Sequence, residues 1–212
     1  MYTIVKREVL SEAVFLFDIE AAKIAAKAKP GFFILRLDEK GERIPLTIAY
    51  LNAEHGTITT IFQVVGRTTR DMSKLNESDE ILDVVGSLGE PSKIGKYGCV
   101  VCVGGGVGIA PIYSIVKVLK EVDNEVISII CARNKGFLFW QDKMAKVSDR
   151  LIVCTDDGSY GQKGFVTQAI EQVAKEKEIN HLWAIVPMPM MKAVANTTKP
   201  LGIKTVVSLN LI

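Results

Sequence analysis

Short apolar, strand-like runs broken by polar turn residues dominate the first part of the chain. They predict short strands at residues 2–10, 14–20, 32–37, 46–51, 57–65 and 80–85. Turn chemistry separates them at Pro30-Gly31, Lys40-Gly41, His55-Gly56 and Gly86 to Gly89. One helix is expected at 68–75 and a helical turn at 21–27. Short strands with few helices predict a small antiparallel barrel. Near residues 92–98 the pattern changes. Apolar strands at 99–103, 125–132, 151–155, 182–186 and 204–207 now alternate with helical periods. Ile112, Ile115, Val116 and Leu119 share one helix face, and Val166, Ala169, Ile170, Val173 and Ala174 share another on 166–177. Further helices are expected at 140–147 and 190–197. That order predicts a doubly wound parallel α/β sheet with ligands at the carboxyl ends of its strands. The expected fold class is therefore β + α/β: a barrel domain over 1–93, then a nucleotide-binding α/β domain over 94–212.

Composition narrows the function. The 212 residues are 48% hydrophobic and 24% charged, enough for a buried core and against disorder. A net charge of +2 gives no reason to expect a nucleic-acid partner. Lys6, Arg7, Glu8, Asp18 and Glu20 interrupt the N-terminal region, so neither a signal peptide nor a membrane span is expected, and the cytoplasm is the expected location. Cys99, Cys102, Cys131 and Cys154 all lie in apolar strand-like runs. Cys99 and Cys102 have a metal-like spacing, but there is no second pair, and residues three apart in a strand face opposite sides. Buried, reduced thiols are the expectation. His55 reads as a hairpin residue and His181 as a strand start, neither in the company of metal ligands.

The chemistry is concentrated in three segments. Residues 101–111, Val-Cys-Val-Gly-Gly-Gly-Val-Gly-Ile-Ala-Pro, run from a strand through glycines into a helix. Gly104, Gly105, Gly106 and Gly108 are expected to let a ligand approach the main chain. Free N–H groups at the start of the helix that follows, where Ile109 and Pro111 stand, with its positive dipole end, suit a pyrophosphate. Pro111 stands where the usual dinucleotide fingerprint has its third glycine, which makes this a variant. In the barrel half, Arg43-Ile-Pro-Leu-Thr47 places a cation and a hydroxyl around Pro45, with Arg43 available for an anion. Gly66-Arg67-Thr68-Thr69 precedes a helix and forms a second candidate anion cradle. Taken singly, Arg43 is a solvated cation and Thr68 a helix cap. Beside a dinucleotide half, the two segments predict a barrel that holds a second phosphorylated cofactor.

At these residues the sequence resembles the ferredoxin–NADP reductase superfamily over essentially the whole chain. Within it, the chain is similar to the electron-transfer subunits of class B dihydroorotate dehydrogenase. It is also similar to the small flavin-bearing subunit of NADH-dependent ferredoxin–NADP oxidoreductase. The resemblance implies a flavin in the barrel and a nicotinamide nucleotide in the α/β domain. It implies that Arg43, Pro45, Leu46 and Thr47 form the flavin-contacting strand, with Arg43 on phosphate and Thr47, the candidate catalytic residue, near the isoalloxazine. Many members carry an aromatic residue where Leu46 stands. Gly66, Thr68 and Thr69 match the flavin pyrophosphate loop, which favours FAD over FMN, and Gly104 to Pro111 match the nicotinamide-nucleotide loop. Asp156-Asp-Gly-Ser-Tyr-Gly161, with Asp157 and Gly158, resembles the loop beside that nucleotide. Val186-Pro-Met-Pro-Met-Met191 stands where the family motif begins Gly-Pro, with Val186 in place of glycine.

The implied activity is hydride exchange between NAD(P)H and FAD, with single electrons passed onward. The implied acceptor is a larger iron–sulfur or flavin subunit, or a ferredoxin-like protein, in a hetero-oligomer. Relatives continue past Ser208-Leu-Asn210 into a cysteine-rich [2Fe–2S] segment; with four scattered cysteines, no cluster is expected in this chain. The nucleotide stays open. Arg133-Asn134-Lys135 follows the strand 125–132 and would accept a 2′-phosphate, whereas the resemblance points to NAD. Two competitors remain: a flavin-binding interaction subunit with little turnover, and a non-redox α/β nucleotide enzyme such as a methyltransferase. A barrel carrying Arg43 and Thr47 disfavours the second.

Overall fold

A computed structural model describes residues 1–27, 32–89 and 92–208, apart from the side chains of Phe32 and Phe33. The turn expected at Pro30-Gly31 lies outside the described residues. The chain divides into two compact units, Met1–Ser92 and a second from Lys93 onward.

The first unit begins with β1 (Tyr2–Ser11) and β2 (Val14–Glu20), followed by the single turn α1 (Ala22–Ala25). β3 (Phe32–Arg36), β4 (Ile44–Asn52), β5 (Thr57–Gln63), α2 (Arg67–Met72), β6 (Glu80–Ile81) and β7 (Asp83–Leu88) complete it. The strands form one antiparallel sheet in the order β6-β1-β2-β5-β4-β3-β7. β6 and β7 stand at opposite ends of that order yet are separated in the chain by Leu82 alone, so the sheet curls into a nearly closed barrel. Two expectations are corrected here. The strand expected at 80–85 is two strands, because at Leu82, whose amide bonds the Leu37 carbonyl, the chain switches from pairing with β1 to pairing with β3. The turn expected at Gly86 to Gly89 is largely strand: Phe33 pairs with Gly86 and Phe32 with Leu88, and the ladder overrides the local glycine preference.

Alternation along the strands sends Ile4, Phe17, Ile19, Leu35, Ile48, Ile58, Phe62, Ile81 and Val84 into one core, closed by Met72 of α2. Phe17 meets Phe62 edge-on at 5.1 Å. Each such side chain contributes about 1.5–3 kcal/mol by leaving water. α2 is fastened to β1 where Arg7 Nη2 donates to the Ser73 carbonyl at 3.1 Å.

The second unit runs β8 (Cys99–Gly105), a 3-10 turn (Gly106–Gly108), α3 (Ile109–Glu121), β9 (Glu125–Ala132), a second 3-10 turn (Lys135–Phe137) and α4 (Gln141–Val147). It continues with β10 (Arg150–Thr155), β11 (Gln162–Lys163), α5 (Val166–Glu176), β12 (His181–Ile185), α6 (Met188–Thr198) and β13 (Lys204–Val207). The sheet is parallel, in the order β11-β10-β9-β8-β12-β13. Val101, Val103, Ile127, Ile129 and Ile152 face a core shared with Val166, Ile170 and Val173 of α5 and Met191 and Val194 of α6. The alternate residues Val100, Cys102, Val126 and Ile130 are equally buried, on the opposite face. From β8 the chain winds first toward β9 and β10, then crosses back to β12 and β13. The strand order therefore reverses between β8 and β12, the switch point at whose carboxyl side ligands bind in open α/β sheets.

Candidate functional site

In the barrel unit the site residues lie on β4 and at the start of α2. Ile44, Leu46 and Ile48 point into the core, so Leu46 is an inward residue. Pro45 and Thr47 alternate to the other face, where Arg43 precedes the strand. The Thr47 carbonyl accepts from Thr60 Oγ1 at 3.3 Å, which ties β4 to β5 beside the bulge between Ile48 and Tyr50. The Arg43 side chain is 62% exposed and reaches Asp83 only across 3.9 Å, a solvated pair of little consequence. Its guanidinium is thus available to an anion.

Gly66 is the N-cap of α2, with extended φ and ψ of −134° and −174°. A Cβ placed on it would meet nothing within 4 Å, so the space in front of the helix start is open. Thr68 is half-buried and Thr69 is buried. Thr69 Oγ1 accepts from the Val65 and Gly66 amides at 3.1 and 3.0 Å and donates to the Gly66 carbonyl at 3.3 Å. The hydroxyl thus holds the loop's own backbone in place at the start of α2. The helix cap expected from Thr68 is provided by Thr69 instead, from inside the helix. What stays open toward a ligand is Gly66 and the amides of the first turn, which have no intrahelical carbonyl.

In the α/β unit, Gly104 and Gly105 are the last residues of β8 rather than part of a turn. A Cβ on Gly104 would lie 2.7 Å from Ile112 Cγ2, and one on Gly105 would lie 3.1 Å from both Met190 Sδ and Val186 Cγ1. A Cβ on Gly108 would lie 1.9 Å from the Ile185 carbonyl oxygen. At these three positions the missing side chain makes room for the protein's own backbone and side chains. Gly106 differs, with φ of +56°, and turns the chain from β8 into α3, whose first turn contains Ile109 and Pro111. Cys131 Sγ donates to the Gly104 carbonyl at 3.5 Å and lies 4.0 Å from Met190 Sδ, seating the start of α6 beside the loop. Val186, 7% exposed, fills the place the family motif gives to glycine.

The loops after β9 and β10 are joined. The Asp156 amide donates to the Ala132 carbonyl at 3.2 Å and the Asp157 amide to the Arg133 carbonyl at 3.3 Å. The Lys135 amide donates to Ser159 Oγ at 2.8 Å. Thr155 Oγ1 donates to the Tyr160 carbonyl and accepts from the Tyr160 amide. Gly158, with φ of +78°, makes the reversal. The Ser159 amide donates to Asp157 Oδ1 at 2.9 Å, and the Ser159 hydroxyl and amide hold the Asp157 carboxyl below its usual range. Arg133, Asp157 and Gly158, read separately in the sequence, therefore share one rigid edge at the carboxyl end of the sheet. Asn134, whose Oδ1 accepts from the Gly136 amide at 2.9 Å, shapes the first loop; its Asn-Lys-Gly sequence carried that signal.

The four cysteines are free thiols, with Cys102, Cys131 and Cys154 buried and Cys99 half-buried. Burial pushes the thiols of Cys102 and Cys131 far above the usual range. Among the described residues no group of histidine, cysteine and carboxylate side chains is arranged to hold a metal ion.

Residues 102–196 match the oxidoreductase NAD-binding domain family. The chain is 46% identical over 208 residues to a homolog of the dihydroorotate dehydrogenase B (NAD(+)) electron transfer subunit from Thermotoga maritima, covering 98% of this chain and 73% of the relative. It is 31% identical over 176 residues to the corresponding subunit of Fusobacterium nucleatum, covering 79% of this chain and 67% of the relative. Among solved structures, an NADH-dependent reduced ferredoxin–NADP oxidoreductase studied for flavin-based electron bifurcation superposes with a TM-score of 0.93 and 44% identity, over 100% of this chain and 77% of that one. A ferredoxin NADP+ reductase from Neisseria gonorrhoeae with bound FAD and NADP shares the fold, with a TM-score of 0.80 at 18% identity over 98% of both chains.

Proposed function

The chain belongs to the ferredoxin-reductase-type family that includes the dihydroorotate dehydrogenase B electron-transfer subunits, and from that premise we propose how its residues serve electron transfer between NAD(P)H and a flavin. The observation that carries the reading is the pair of anion-accepting backbone sites, one per unit. The barrel unit has open space before the first turn of α2, at Gly66, and an exposed Arg43 beside β4. The α/β unit has the Gly106 turn into α3 at the sheet's switch point.

Both sites fit their cofactors. The space in front of Gly66 is open, and the amides of the first turn behind it would suit a pyrophosphate, which favours FAD. Arg43 would bind phosphate through its planar fork, and Pro45 and Thr47, on the outward side of β4, would contact the flavin, with Thr47 toward its ring system. Leu46 supports that strand from the core side. Thr68 flanks the pyrophosphate, and Thr69 fixes the loop that binds it. In the α/β unit, Gly106 and the free backbone amides of the turn it starts would hold the nucleotide's pyrophosphate, with Gly104 and Gly105 allowing the tight seat of α3 and α6 beside that turn. Arg133, Asp157 and Gly158, joined at the carboxyl end of the sheet, would lie beside that nucleotide. When bound, the two cofactors supply hydride exchange and a route from two-electron to one-electron transfer; the protein supplies binding, orientation and electrostatics. No protein general base is required.

In this reading the electrons pass to a larger redox subunit or a ferredoxin-like acceptor within a hetero-oligomer, in the cytoplasm. Among the described residues no helix is long and apolar enough to cross a membrane. The test is turnover of the flavin-loaded protein with NADH or NADPH and an artificial electron acceptor. Rapid oxidation of the nucleotide is expected. A protein that retains flavin but does not turn over would instead be an interaction subunit.

A further inference from the structure

Three sulfur-bearing side chains meet in the core of the α/β unit. Cys131 of β9 and Cys154 of β10 are direct partners in the parallel ladder, which sets their Cα atoms one strand spacing apart, about 4.8 Å. Both side chains face the core shared with α5 and α6, and each residue is 2% exposed. Met190 lies in the first turn of α6 and packs against the same core, with its Sδ 4.0 Å from Cys131 Sγ. The thiols otherwise make only long contacts, Cys131 with the Gly104 carbonyl at 3.5 Å and Cys154 with Gln162 Oε1 at 4.0 Å. Two residues earlier on the same face, the ladder pairs Ile129 with Ile152. The step from an isoleucine pair to a cysteine pair brings in donor atoms that packing alone does not require.

We infer that Cys131, Cys154 and Met190 form a three-sulfur binding site for a soft monovalent metal ion, copper(I). Thiolate and thioether donors select this ion over the harder divalent metals. The third donor is a thioether, so histidine and carboxylate take no part. A three-coordinate ion with metal–sulfur bonds of about 2.3 Å holds its sulfurs about 4.0 Å apart, which is the separation of Cys131 Sγ and Met190 Sδ. Binding exchanges two S–H bonds for two metal–sulfur bonds, releases two protons to solvent and leaves the metal in its +1 state. The bound group then carries one net negative charge. The positive end of α6, in whose first turn Met190 sits, lies beside it and offsets that charge.

The experiment is anaerobic competition for copper(I) between the full chain and a chromophoric copper(I) chelator, read as metal retained per mole of protein. Circular dichroism of each variant establishes that the chain is folded during the titration. Wild type is expected to retain one equivalent. Cys131→Ala and Cys154→Ala should each abolish retention. Met190→Leu keeps the apolar volume, so it tests the thioether without disturbing the core, and should weaken binding at least about tenfold. Cys102 is also fully buried but faces the other side of the sheet, so Cys102→Ala should still retain one equivalent. Wild type that retains no copper overturns the inference. So does retention that survives both Cys131→Ala and Met190→Leu, or that Cys102→Ala abolishes in a folded chain.

Discussion

A Cβ on Gly108 would stand 1.9 Å from the carbonyl oxygen of Ile185, the last residue of β12. This glycine is where α3 closes onto the sheet, so its role is packing against backbone that cannot yield. Gly108→Ala is expected to lower the stability of the α/β unit by about 1–3 kcal/mol or more, as overpacking does. Urea unfolding followed by Trp fluorescence checks it. A variant as stable as wild type would show that the helix and strand do not pack this closely.

Gly66 behaves in the opposite way. Its Cβ would enter open space and its backbone is extended, so Gly66→Ala should change stability by no more than about 0.5 kcal/mol. Flavin retention should nevertheless fall, because the methyl group occupies the cradle. Arg43→Ala should also lower flavin content at nearly unchanged stability, since its pair with Asp83 is long and exposed. Flavin measured per mole of folded protein decides both cases.

Thr69→Ala removes the acceptor for two backbone amides and should cost about 1 kcal/mol, as loss of a helix cap does. Thr69→Ser keeps the hydroxyl and should restore most of that stability. If Thr69→Ala matched wild type in denaturant, the hydroxyl would not be ordering the loop.

His181 is stacked on Trp183 at 4.1 Å and against Tyr97 at 4.5 Å, with Lys204 paired opposite it in β13. Burial, then the Lys204 charge, lowers its pKa from the usual 6.5. The unfolded chain therefore takes up a proton before the native one does. Stability from this group is intact above 6.5 and declines as the pH falls below it, toward the lower native value. Urea midpoints compared at about pH 7.5 and about pH 5 should show a decline that is smaller in His181→Phe.

Much of the architecture was legible because burial has a period. Ile112, Val116 and Leu119, spaced for a helix, are all fully buried in α3, and the short apolar runs of β2 and β5, bounded by turn residues, marked the barrel strands. Strand β11 escaped because Gln162 and Lys163 are both exposed and carry no alternation. β7 was hidden by Gly86 and Gly89, whose local preference for turns lost to the ladder with β3. In the site, the anion-binding segments were readable from residue type, but the division of labour within them was not. That Gly104 and Gly108 serve packing depends on Ile112 and Ile185, and that Asp157 meets Arg133 depends on a contact between two loops. Such partners are set by tertiary structure.

We propose that the barrel unit carries a flavin that is reduced by a nicotinamide nucleotide bound to the α/β unit. The direct measurement is the visible spectrum of the FAD-supplied, purified protein before and after anaerobic addition of NADH. A flavin spectrum that bleaches on addition is the predicted result. A protein that takes up no flavin, or whose flavin spectrum NADH and NADPH both leave unchanged, would contradict it.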